Sequence, residues 1–210
     1  MKIAVLQGSS QKDKNRLLRE GVQKAVQGQG HQVLDFGVFQ EEQIDFSYVQ
    51  TALCVSMLLE SRAIDFALTG CSSGQGMMLA CNSLPGVLCG YLAAPADAYL
   101  FGRINGGNAA SVSLGLGFGW AGEIGLQAIL DQLFAGPFGT GYPPEQAARK
   151  RAEAQLVKTL GRTAKKSLPE LLPQLDEELV KSAVKRDCVF DYIQEHGQEK
   201  ALVHFLRQYR

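Results

Sequence analysis

The chain has 210 residues, 46% of them hydrophobic, enough for one α/β domain with an appendage and a sizeable core. Its 21 basic and 21 acidic residues cancel, so net charge gives no argument for nucleic acid or an anionic membrane as a partner. The five cysteines lack disulfide or zinc spacing, no apolar run reaches bilayer length and no charged-then-apolar leader precedes the first strand, so the expected setting is a reducing cytoplasm.

Lys2–Leu6 reads as a buried strand that ends in Gln7-Gly8-Ser9-Ser10. A helix follows over Asn15–Gln27, with Leu17, Leu18, Val22 and Val26 on one face and Gly28 and Gly30 closing it. His31–Phe36 is the second strand and Ser47–Arg62 a helix rich in Leu and Met. Ile64–Thr69, Val87–Leu92 and Ala110–Leu114 complete five strands, with helices expected near Gly76–Ser83, Pro95–Ile104 and Trp120–Phe134. Strands alternating with helices, the strands nearly continuous in apolar residues, predict a three-layer α/β/α sandwich with a five-stranded parallel sheet. The run Gly136–Pro144 breaks this pattern. The chain therefore divides into an α/β domain over 1–142 and an α-helical carboxyl-terminal extension over 143–210. Its helices are expected over Pro144–Leu160 and Leu168–Val180, with two short ones to Arg210. Charge divides in nearly the same place: through Glu145 there are 8 basic and 12 acidic residues, and beyond it 13 and 9. The tail's apolar residues suit amphipathic helices packed on the core or on a neighbouring subunit.

The third strand runs into Gly70-Cys71-Ser72-Ser73-Gly74-Gln75-Gly76, a glycine-rich turn that opens a helix. Backbone N–H groups at such a turn can hold an anion at the positive end of a helix dipole. The carboxyl end of a strand is also where open α/β sheets bind ligands. Cys54, Cys81 and Cys89 fall inside strand or helix patterns and read as small core residues. Cys71 follows the strand among residues too small to bury it, so it reads either as another packing residue or as a base or nucleophile. The turn matches neither the Walker lysine pattern nor the dinucleotide fingerprint.

The run Gly70–Met77, followed by Ala80-Cys81-Asn82-Ser83-Leu84-Pro85-Gly86-Val87, resembles the Cys-Gly-Thr-Gly-x-Gly-Met and Ala-Asn-Lys-x-Pro-Gly segments of the ribose-5-phosphate isomerase B and galactose-6-phosphate isomerase family. Met1–Ala4, Gly30–Gly37 and the segment from Arg103 to Gly115 are similar as well, and the resemblance extends over Met1–Phe134. It implies an aldose–ketose isomerase of phosphorylated sugars that needs neither metal nor cofactor. Cys71 would move a proton between C1 and C2. The Ser72–Gly76 loop, with Gln75 in it, would hold the anion and the enediolate, and Ser73 would bond a substrate oxygen. A homodimer or homotetramer is implied too.

Three departures stand out. Where the family has Asp-His after the first strand, this chain has Gly8-Ser9. Where the family has a ring-opening His-Asn pair, it reads Asn105-Gly106-Gly107-Asn108. The family's phosphate-binding arginine is also replaced near Leu116–Gly119, and no histidine lies between His31 and His196. Either the chain is a degenerate subunit that needs a partner, or its substrate needs no ring opening, as with a tetrose 4-phosphate or a pentulose 5-phosphate. The competing class is a sugar-phosphate-binding or regulatory subunit without turnover. The remaining candidates to hold the substrate are Asn82, Asn105 and Asn108 for hydroxyls, and Arg103, Arg149 and Arg151 for phosphate. The bland alternatives are turn asparagines and a solvated helix face.

Overall fold

The computed structural model describes residues 1–210. Its strands are β1 (Lys2–Leu6), β2 (Gln32–Gly37), β3 (Phe66–Cys71), β4 (Cys89–Leu92) and β5 (Ala109–Ser113). All pairings are parallel, in the spatial order β2-β1-β3-β5-β4. Successive side chains point to opposite faces. Ile3 and Val5 join a core with α1 (Asn15–Ala25), α4 (Pro95–Leu100) and α5 (Gly122–Leu133), whereas Ala4 and Leu6 join a core with α2 (Tyr48–Glu60) and α3 (Gln75–Ser83). This is the expected three-layer sandwich.

Several boundaries shift by a residue or two and the helix expected over Pro95–Ile104 ends at Leu100, and two of the shifts have local reasons. β3 runs on to Cys71, because Cys71 still pairs with Ser113 of β5. β4 starts only at Cys89: ahead of it the Asn108 amide takes the Leu88 N–H at 2.8 Å and donates to the Gly86 carbonyl at 2.6 Å, which holds that segment as a turn.

Beyond the connecting loop come α6 (Ala147–Ala164), α7 (Leu168–Leu171), α8 (Glu177–Val184), α9 (Asp187–His196) and α10 (Lys200–Leu206). The single helix expected over Leu168–Val180 is broken in two. Pro173 has no N–H to continue it, and a short 3-10 turn, Leu172–Gln174, follows α7. Asp176 then caps α8 by accepting from the Leu179 N–H at 2.9 Å.

Leu168, Leu172, Val180, Val184, Val189 and Ile193 of these helices are buried in the same core as α2. Each such side chain is worth at most about 1.5–3 kcal/mol, so this fourth layer is integral to the fold. It also explains α2, whose residues Thr51 to Leu59 are all buried: a helix apolar all round needs cover on both sides. In contrast, α6 buries none of its side chains. No helix is long and apolar enough to cross a membrane.

Candidate active site

The strand order reverses between β1 and β3, so their carboxyl ends flank the crevice where open parallel sheets take ligands. Cys71 is the last residue of β3 and is half-buried. The loop after it is held from below by two serines on one face of β5. Ser111 Oγ, fully buried, donates to the Gly74 carbonyl at 2.6 Å, and Ser113 Oγ lies 3.0 Å from the Ser72 carbonyl and 2.5 Å from that of Leu116. Gly74 turns the chain into α3 with φ +76°, and a Cβ there would meet Tyr91 at 2.6 Å and the Val112 carbonyl at 2.9 Å. Only glycine fits.

The first turn of α3 leaves its amides free, as helix starts do. The N–H groups of Ser73, Gly74, Gly76 and Met77 have no acceptor within the chain, and that of Gln75 reaches only Ser73 Oγ, at 3.3 Å. A thiol thus lies next to a row of unpaired N–H donors at a helix amino terminus, an arrangement suited to stabilising an oxyanion.

Some residues at this edge carried no signal that the sequence reading used. Gln11, just after β1, donates to Ser72 Oγ at 2.8 Å. The Tyr48 ring lies 3.5 Å from the point where a Cβ on Gly76 would sit. Ser9 accepts from the Phe46 N–H at 3.0 Å and donates to Asp45 at 3.3 Å, joining the loops after β1 and β2. Lys12 donates to the Glu42 carbonyl at 2.7 Å, and Lys14 sits 5.6 Å over the Phe118 ring. These two lysines are cations on the Cys71 edge. A pocket of about 370 Å³ opens beside Ser113, with Tyr91, Leu116 and Phe118 among its walls.

The other candidates lie elsewhere, and several expectations need correction. Asn82 pairs its whole amide with the backbone of Cys89, at 2.8 and 2.9 Å, and Asn108 is spent on Leu88 and Gly86. Asn108 immediately precedes β5. The Cys71 edge is five residues farther along that strand, about 17 Å away.

Asn105, the end of the π turn Phe101–Asn105, lies at the same far edge. Arg103 is buried; it donates to the Leu133 carbonyl at 3.0 Å and stacks between Tyr99 and Phe138, and burial lowers its pKa. It is a structural cation. Arg149 pairs with Glu153 at 2.8 Å, and Arg151 donates to the Thr140 carbonyl at 2.9 Å, in a loop tied to Gly102 and Arg103. Within one chain, neither of them joins Cys71.

The histidines are equally remote. His31 Nδ1 is 3.0 Å from the Met1 amino group at the far edge, His196 packs on Tyr192, and His204 lies exposed on α10. Burial pushes the Cys54 thiol up to about 12 and also raises Cys188, so neither is a base at neutral pH. The chain has no cluster of three His, Cys, Asp or Glu side chains that could hold a metal.

A ribose/galactose isomerase family model matches residues 11–145. No curated protein matches the sequence significantly. Among solved structures, one described as a ribose-5-phosphate isomerase from Vibrio parahaemolyticus is 37% identical, covers 100% of this chain and 99% of its own, and superposes with a TM-score of 0.94. A 4-deoxy-L-threo-5-hexosulose-uronate ketol-isomerase complexed with a tartrate is 35% identical with the same coverage and a TM-score of 0.93. A type B ribose 5-phosphate isomerase from Trypanosoma cruzi is 17% identical, covers 78% of this chain and 99% of its own, and shares the fold with a TM-score of 0.63.

Proposed function

The chain belongs to the ribose/galactose isomerase family, and from that premise we propose that it interconverts an aldose and a ketose through an enediolate, on a sugar that arrives in open-chain form. Cys71 acts as the base. Its thiolate takes the proton from the carbon next to the carbonyl, and the electron pair moves onto the carbonyl oxygen. The hydroxyl proton then passes from the neighbouring oxygen to that oxyanion, and the carbon-derived proton returns from the thiol to the former carbonyl carbon. The N–H groups of Ser73, Gly74 and Gly76 bind the oxyanion while it exists, and Ser73 bonds a substrate hydroxyl.

The observation that carries the open-chain reading is a thiol beside free amides with no imidazole on its edge of the chain. A sugar that cannot cyclise needs no acid to open it. A tetrose phosphorylated at C4 and a pentulose phosphorylated at C5 meet that condition, because the ring-closing hydroxyl is esterified. So does a 4-deoxy-5-hexosulose uronate, the substrate named for one similar structure, which has no hydroxyl on C4 or C5 to attack its aldehyde. In each case the anionic end has Lys12 and Lys14 within the same edge of the chain.

Wash-in of solvent deuterium at the carbon beside the carbonyl tests this across erythrose 4-phosphate, ribulose 5-phosphate, the 4-deoxy-5-hexosulose uronate and galactose 6-phosphate. Exchange with one of the first three, faster than with galactose 6-phosphate, is expected. Faster exchange with the hexopyranose phosphate overturns the open-chain reading. Binding without exchange by any of them favours the non-catalytic alternative.

A homo-oligomer fits the same reading. Leu156, Val157 and Leu160 of α6 are 63%, 48% and 67% exposed on a helix that buries nothing, an apolar stripe that a second copy would cover. Leu156→Glu combined with Leu160→Glu is expected to give a monomer by light scattering. An unchanged assembly mass rules α6 out as the contact.

A further inference from the structure

Helix α6 is amphipathic in the wrong sense. Its less exposed positions are Ala147, Lys150, Ala154, Lys158 and Gly161, three or four residues apart, so two lysines face the protein. Leu156 is exposed, whereas Val157 and Leu160, also exposed, form part of the rim of a cavity. A surface helix normally turns its apolar stripe to the protein and its lysines to water. This cavity, of about 500 Å³, lies behind the inward face, between α6 and the Gly86–Leu88 segment that leads into β4.

The electrostatics of this cavity are one-sided. Lys158, Arg162 and Lys165 line it. The ion pairs of α6, Arg149–Glu153 and Lys150–Glu153, are confined to its beginning, and Lys158 and Arg162 enter none. Lys165 donates to the Leu84 and Val87 carbonyls at 2.8 and 3.3 Å. The nearby carboxylate, Glu60, is wedged against Gly86, where a Cβ would come within 2.1 Å of its Oε1. Burial, with Glu199, raises the Glu60 pKa against the lowering effect of Arg162, Arg62 and Lys165, so this one carboxylate is shared among several cations. Three cations on one cavity, two of them outside any ion pair and a single carboxylate nearby, make its potential positive and favour an anion there.

We propose that this cavity binds a phosphate-bearing small molecule, its phosphate held by Lys158 and Arg162 with Lys165 beside them. The volume lies within the range of small-molecule pockets and leaves room for a sugar-sized body. Arg162 supplies a planar fork that can grip two phosphate oxygens, and Lys158 a point charge. The site is at the edge of the sheet opposite Cys71 and does not depend on the catalytic reading. Its wall includes Asn82, whose amide joins the end of α3 to β4. An occupant therefore ties α6 to the far end of the helix whose first turn carries the free amides.

Inorganic phosphate titrated into the full-length protein, followed in amide proton–nitrogen NMR spectra, reads the site directly. Saturable shifts are expected at Val87, Leu88, Gly106 and Gly161, and potassium chloride at matched ionic strength should not reproduce them. Lys158→Ala combined with Arg162→Ala removes side chains that bury nothing, so the fold should survive, which the rest of the spectrum checks. In this variant, affinity read at those four amides should fall about tenfold or more. Shifts at Ser73–Gly76, which report phosphate at the catalytic loop, should persist unchanged. Shifts confined to Ser73–Gly76, four-amide shifts untouched by the double substitution, shifts equally produced by chloride, or no shifts at all would each overturn the proposal.

Discussion

Replacing Cys71 with alanine is expected to lower turnover by about 10²–10⁴-fold and to leave KM nearly unchanged. The loop does not depend on the thiol for its shape. The Cys71 carbonyl takes the Leu114 N–H at 2.9 Å through the backbone alone, and Ser111 holds the Gly74 carbonyl from β5. Alanine at 71 should therefore keep the oxyanion donors and lose only the proton carrier. Serine there should fare no better, because a hydroxyl is too weak an acid to supply the base form at neutral pH. Solvent-deuterium exchange into the best substrate of the panel is the measurement, since it reads proton abstraction whether or not product release limits the rate. Exchange in Cys71→Ala at the wild-type rate would assign the base to another group.

The sheet and the Cys71–Gly76 loop were legible because their physics is local. Ile3 to Leu6 and Phe66 to Leu68 are apolar runs of strand length, and a glycine-rich turn opening a helix can be read without tertiary information. The supports of that loop were not legible. Ser111 and Ser113, two residues apart in an otherwise apolar strand, were the available signal: polar groups on one face of a buried strand need partners.

Arg103 misled because its charge suggested a ligand, whereas its neighbours Tyr99 and Phe138 and the Leu133 carbonyl come together only in the fold. The cover on α2 lay within reach. A stretch such as Ala52-Leu53-Cys54-Val55-Ser56-Met57-Leu58-Leu59 has no polar face to give to water, so something beyond the sheet had to pack on it. Reading that run alongside the apolar tail would have assigned α8 and α9 to their layer.

Among the contacts by which that layer reaches the Cys71 edge, one is an ion pair, and cutting it should give a large loss of stability. Arg186, between α8 and α9, is 10% exposed and grips Glu42 with both terminal nitrogens, one of them at 2.8 Å. It also donates to the Phe36 carbonyl at 2.8 Å and lies over the rings of Phe39 and Phe46. Phe46 is in turn bonded to Ser9, so the wall between β1 and β2 hangs on this contact. Arg186→Met leaves a partly enclosed carboxylate, 24% exposed, with only the Phe39 N–H to bond it, and is expected to cost about 1–3 kcal/mol.

The pH dependence fixes the cause. The hydrogen bond from Arg186 is the main reason that Glu42 titrates below its ordinary value of 4.5. A carboxyl with a depressed folded pKa stabilises above its unfolded pKa, and that contribution fades as pH falls through the folded value. In Arg186→Met the stranded carboxylate does the reverse and is relieved by protonation. The gap between wild type and variant in denaturant unfolding should therefore be widest near pH 7, begin to shrink as pH falls through the variant's raised carboxyl pKa, and go on shrinking through the lowered one of the wild type. Adding Glu42→Gln to Arg186→Met should restore part of the loss at neutral pH, since it removes the unpaired charge. A gap that stays constant from pH 7 to pH 4 would mean that Arg186 works by packing on Phe39 and Phe46, with the ion pair contributing nothing.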